Sequence, residues 1–139
     1  MQPWSDAAIS ALLITAGLII PLAAIAVGLR HPGRGSKLER LGQFVLTGTQ
    51  IRQRPPRPDA TEDEIGAWTQ EAEQWAQVTV DYLRENCSLR AAAIFIDQSE
   101  AQAGSYAGIH PLAQPTLRAL NRWLGNLRTI LNNADVYVE

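Results

Sequence analysis

The sequence predicts an all-α protein: a single N-terminal transmembrane helix followed by a small cytosolic helical bundle of three to four helices. Three observations predict it. Residues 7–29, AAISALLITAGLIIPLAAIAVGL, run 23 positions without a charge. Apolar residues recur at steps of three and four in three later segments. No segment offers a convincing partner for a strand, so period-two pairing has nothing to build on.

The uncharged stretch would rise about 34 Å as a helix, against a hydrocarbon thickness of about 30 Å. Only Ser10 and Thr15 are polar within it, and each hydroxyl can bond a carbonyl one turn back. A cleaved secretory signal is the rival reading, with Ala24-Ile25-Ala26 as its cleavage site. The apolar run is too long for a signal core, and residues 1–6 hold no Lys or Arg, so a retained span is expected. Arg30, Arg34, Lys37 and Arg40 follow the stretch while only Asp6 precedes it, which orients the N-terminus outside and the rest inside. The same four side chains are expected to contact anionic lipid, each contributing about 1 kcal/mol beside a charged leaflet. Ser10, Ile14, Gly17, Pro21, Ala24 and Gly28 fall on one helix face, and all but Ile14 lack bulk. Ser10, Gly17, Pro21, Ala24 and Gly28 therefore form a candidate surface for self-association of the span. Pro21 removes one helical hydrogen bond and is expected to bend the helix there. The lone Cys87 has no partner for an intrachain disulfide and fits a reducing cytosol.

The chain divides into an anchor (1–30), a hinge (31–36), a bundle (37–133) and a tail (134–139). The hinge, HPGRGS, suggests a phosphate loop, but the spacing fails: the order is Gly-Ser-Lys and no strand precedes it. Helix one is expected over 37–53, opened by a capping box of Ser36 and Glu39. Leu38, Leu41, Val45, Gly48 and Ile51 give it an apolar face, with Phe44 beside them. The run RPPRP at 54–58 stops it, because proline supplies no amide proton and holds the preceding residue extended. Helix two opens on a second capping box, Thr61 and Glu64, and should end near Glu85 or Asn86. Its stripe is Ile65, Trp68, Ala72, Trp75, Thr79 and Tyr82. Residues 89–97, LRAAAIFID, could be a short buried strand, but three alanines and a capping Ser88 favour a helix. Residues 99–114 read as a loop. Pro115 suits the first turn of helix four, striped by Leu117, Leu120, Leu124, Leu127 and Leu131 and capped by Asn132 and Asn133. The tail, ADVYVE, reads as extended. Trp68, Trp75, Phe95, Trp123 and five leucines are the expected core.

The net charge of −2 conceals segregation. Residues 30–57 hold seven basic residues and one acid, whereas residues 59–85 hold eight acids and one base. An acidic helix two between basic helices one and four would present complementary faces, although exposed pairs contribute only about 0–1 kcal/mol. Nucleic acid is not an expected partner: the chain is slightly acidic, no reading motif appears, and the arginines are spread over separate elements. No catalytic or metal-binding residues are expected, and no cofactor. The two histidines, His31 and His110, lack the spacing of metal ligands, and Cys87 would need His110 brought to it in space to act as a nucleophile. Asp97 and Glu100 are three apart but lack further ligands. Arg52, Pro55 and Pro58 match a proline-ligand pattern, which a helix-stopping linker also explains.

The step Gly48-Thr49-Gln50-Ile51-Arg52 closes a leucine-rich first helix. An acidic helix bearing Trp68 and Trp75 follows, then Phe95 after a small-residue run, then a Leu/Ile-rich last helix. In these features residues 38–131 resemble a loosely defined group of uncharacterised bacterial proteins, although AAAIFID is more apolar than that group leads one to expect. The resemblance implies a helical domain and carries no activity. The resulting expectation is a membrane-anchored, non-catalytic helical protein-interaction module with a protein partner or a second copy of itself. The alternative is an oligomerising membrane-acting effector or lysis-type protein.

Overall fold

Proline, capping and apolar period set the helices of this chain, and the computed structural model describes residues 33–99 and 106–139 of it. Five α-helices lie among the described residues: α1 (Arg34–Arg52), α2 (Glu62–Asn86), α3 (Leu89–Phe95), α4 (Gln114–Asn132) and α5 (Ala134–Tyr137). A 3-10 turn, Pro111–Ala113, leads into α4. Arg34–Glu139 forms one compact unit. Within it α1 packs along both α2 and α4, while α3 fills the space between α2 and α4.

The membrane-spanning fold is corrected. No helix among the described residues is long and apolar enough to cross a membrane. The longest, α2, has 25 residues but carries Glu62, Asp63, Glu64, Glu71, Glu73, Asp81, Arg84 and Glu85 on its outer face. The architecture the structure supports is all-α, with amphipathic helices around one core. Residues 7–29, with the expected self-association face Ser10, Gly17, Pro21, Ala24 and Gly28, lie outside the described residues, as does Arg30.

Within the bundle, helix two follows its sequence most closely. Thr61 is extended (φ −76°, ψ 162°), its hydroxyl accepts from the Glu64 amide at 3.2 Å, and the Glu64 carboxylate accepts from the Thr61 amide at 2.8 Å. The expected stripe is buried from Ile65 to Thr79, with Val80 and Leu83 continuing it past half-buried Tyr82. The first capping box does not form. Helix α1 starts at Arg34, so Ser36 lies within its first turn. The buried face of α1 is Leu41, Phe44, Gly48 and Ile51, with Val45 only partly covered. Residues 89–95 are helical, and Ser88 caps them by accepting from the Ala91 amide at 3.0 Å. Helix α4 buries Leu117, Leu120, Leu124 and Leu127, then Ile130 rather than Leu131. The tail is not simply extended: Ala134–Tyr137 coils into one short helix, and Val138 beyond it is buried.

Two indoles set the register of α1 against α2. The Trp68 Nε1 donates to the Ile51 carbonyl at 2.9 Å, and the Trp75 Nε1 donates to the Phe44 carbonyl at 2.9 Å. Both donors and both acceptors are seven residues apart, in opposite order, as an antiparallel pair requires. Trp75 also meets Phe95 edge-on, with ring centroids 5.9 Å apart, while Phe95 stacks on half-buried Trp123 at 6.4 Å.

Candidate functional site

The prolines that end α1 create an open corner between α1 and α2. Pro56 is buried and its carbonyl accepts from the His110 amide at 3.0 Å, which ties the α1–α2 linker to the segment preceding α4. The Ala60 amide then closes a turn onto the Arg57 carbonyl at 2.9 Å. An open cleft of about 530 Å³ lies at this corner. Its apolar floor is Pro56, Ala60, Ala67 and Trp68. Its rim carries Arg54 and Arg57 together with Asp59, Glu64 and Glu71. The Trp68 ring is held in place by its bond to the Ile51 carbonyl, which also accepts from the Arg54 amide at 3.2 Å where α1 ends. Arg54 donates to the Glu71 carboxylate at 3.1 Å and to the Gln50 carbonyl at 3.2 Å. Both side chains of that ion pair are about half exposed, so it shapes the rim and contributes only about 0–1 kcal/mol. Opposite charges around an apolar floor suit a polypeptide segment, which presents both signs and a side chain to bury.

The residues expected from the sequence to carry function are placed as follows among the described residues. Arg34 is exposed at the start of α1. Lys37 donates to the main-chain oxygen of Glu139, and Arg40 donates to Gln43 at 3.2 Å while its guanidinium lies 4.8 Å from the Phe44 ring centroid. Two of the four side chains expected at a lipid surface are thus engaged within the chain itself. The proline-ligand pattern is not presented as one extended stretch: Arg52 is helical, Gln53 and Arg54 turn, and Pro58 enters the next turn. His110 does not meet Cys87. Its Nδ1 accepts from the Leu112 amide at 3.1 Å beside the linker, whereas Cys87 follows the far end of α2, a helix about 37 Å long. Asp97 accepts from the Ser99 amide and hydroxyl, both at 2.9 Å, which holds its carboxyl below the usual range. No group of three His, Cys, Asp or Glu among the described residues could hold a metal ion. The interhelical charge complementarity expected from sequence reduces, among the described residues, to the Arg54–Glu71 pair; the other ion pair, Arg84–Asp81, lies within α2.

The corner itself was not singled out by motif. Its signal was the juxtaposition of RPPRPDA with an acidic first turn and Trp68, which sequence reasoning reads as a helix stop and a helix start. No family model, no curated protein and no solved structure matches the chain.

Proposed function

We propose that the chain is a non-catalytic helical interaction module that receives a segment of a partner protein at the corner between α1 and α2. The open cleft carries this reading: an apolar floor around Trp68 is ringed by two arginines and three carboxylates. A rigid backbone supports it, because the capping box of Thr61 and the indole bond of Trp68 fix both walls before any partner arrives. The test exchanges Ala67, which is exposed and lines the floor, for a side chain that fills it. Full-length chain and its Ala67→Arg variant are purified under matched conditions, and co-purifying proteins are quantified. A protein recovered with the wild type should drop at least tenfold with Ala67→Arg and with Arg57→Glu. An unchanged set from a variant with wild-type circular dichroism would remove the cleft from the reading.

A further inference from the structure

We propose that the outer face of α3 pairs two copies of this chain, antiparallel, about a two-fold axis at Ala93. The face is apolar and uncovered. Leu89, Ala93 and Ile96 recur at steps of four and three, so they lie on one side of the helix. Leu89 is 73 % exposed, more than any other large apolar side chain among the described residues. Ile96 is 54 % exposed, and Ala93 is exposed as well. The opposite side, Ala91, Ala92 and Phe95, is buried in the core. The Asn126 side chain donates at 3.0 Å to both the Phe95 and the Asp97 carbonyls, and Ser88 caps the other end of the helix. The face is thus held in place by the bundle while its apolar residues meet water.

The charges beside this face indicate what covers it. Arg90 and Asp97 are seven residues apart, close to two turns, so both stand on the same flank of the apolar stripe. Asp97 lies one residue past the C-cap, where its amide still donates to the Ile94 carbonyl at 3.2 Å. Both side chains are exposed, and neither makes an ion pair among the described residues. Arg90 approaches the Tyr137 ring only to 6.0 Å from its centroid. Asp97 accepts from Ser99 and keeps lone pairs for a further donor. When two helices pair antiparallel, like flanks face each other; when they pair parallel, opposite flanks do. Antiparallel pairing about Ala93 therefore sets Leu89 of each copy against Ile96 of the other and brings Arg90 of each to Asp97 of the other. A face that carries its own complement in this orientation suits a second copy. Ala93, at the crossing point, adds no bulk to hold the helices apart. Three apolar side chains per copy bury far less than the roughly 1,200 Å² of a lasting interface, so the pair is transient. None of these residues lines the corner cleft, so the inference goes beyond that reading and does not depend on it.

The test is covalent capture with the full chain in a Cys87→Ala background, using a short bismaleimide that joins two thiols without an oxidant. Ala93→Cys should give at least fivefold more linked dimer than Gln74→Cys, an exposed position on α2. Adding Arg90→Glu to Ala93→Cys, or adding Asp97→Arg, sets like charges together at both ends of the pair and should cut the yield at least fivefold. Mixing those two charge variants should restore it, because each reversed charge then meets its opposite, and so should both changes in one chain. Equal yields at positions 93 and 74 would overturn the proposal. Charge variants that keep wild-type circular dichroism and link as well as Ala93→Cys alone would overturn it too. The same holds for charge variants that stay weak both when mixed and when combined, because the antiparallel register requires one reversal to answer the other. An Ala93→Cys thiol that a single maleimide fails to label would also overturn it, since another segment or protein would then cover the face.

Discussion

A missing methyl group at Gly48 sets the distance between α1 and α2. A Cβ placed there would stand 2.4 Å from Cζ2 of Trp75, well inside contact distance. The absence of that atom lets the indole lie against α1 and reach the Phe44 carbonyl, which already serves the helix ladder four residues on. Gly48→Ala should therefore destabilise by about 1–3 kcal/mol through overpacking, despite the helix propensity that alanine adds. Gly42 and Gly125 meet nothing within 4 Å, so alanine at either should stabilise by about 0.5–1 kcal/mol. Urea melts of the three variants check the contrast, and a common response would show that the indole does not press on Gly48. Trp75→Ala removes the ring and its bond together and should cost about 3–5 kcal/mol, read as a lower denaturation midpoint. The stripe position of Trp75 was legible from the helical period. Its carbonyl grip was not, because a period assigns a face and says nothing of which backbone lies opposite.

At the scale of the element, two identical cap patterns behave differently, and the backbone upstream decides. The proline-rich linker ends in a turn closed by the Ala60 amide on the Arg57 carbonyl, which delivers Thr61 extended, so its hydroxyl can turn back onto the Glu64 amide. Ahead of Ser36 the nearest proline in the sequence is Pro32, and residues 34 and 35 are free to join the helix. Thr61→Ala should cost about 0.5–2 kcal/mol, whereas Ser36→Ala should change stability by less than about 0.5 kcal/mol. Thermal melts of both would separate a working cap from a sequence coincidence; equal losses would mean that α1 begins at Ser36 after all. The same logic explains α3. Its seven residues are too few for a period to identify, and the Ser88 cap together with burial of Ala91, Ala92 and Phe95 selects the helix. The coiling of residues 134–137 was hidden because nothing within ADVYVE marks a start; it follows directly from the last residues of α4.

At the scale of the whole molecule, the three long helices and most of their core could be read from apolar period, since Trp68, Trp75, Leu117, Leu120, Leu124 and Leu127 are buried where their spacing puts them. The spanning fold could not be carried over, because an uncharged run reports on its own length and not on the bundle that follows it. The candidate cleft was illegible for a related reason: it arises where a linker meets a distant segment, Pro56 against His110, and no local pattern encodes that meeting. The C-terminal end of α2, beside the start of α1, also sets how the bundle responds to alkali. Burial raises the Cys87 thiol above its ordinary range, with the Lys37 charge opposing part of the rise. Burial raises the Tyr82 phenol too, helped by Cys87 and opposed by Arg40. For both groups the folded state favours the neutral, protonated form. Their contribution is fully present below the unfolded values, about 8.5 for a thiol and about 10 for a phenol, and is lost as the pH rises through the higher folded values. Urea midpoints should therefore hold steady from neutral pH to about 8 and fall above about 9. Cys87→Ala removes the thiol that must ionise, so its midpoint should decline less steeply over the first part of that range, with the Tyr82 contribution remaining at higher pH. Parallel curves for the wild type and Cys87→Ala would show that the thiol is as free to ionise in the folded bundle as in the unfolded chain, and that the packing of Cys87 beneath the α2–α3 junction does not discriminate between its charged and neutral forms.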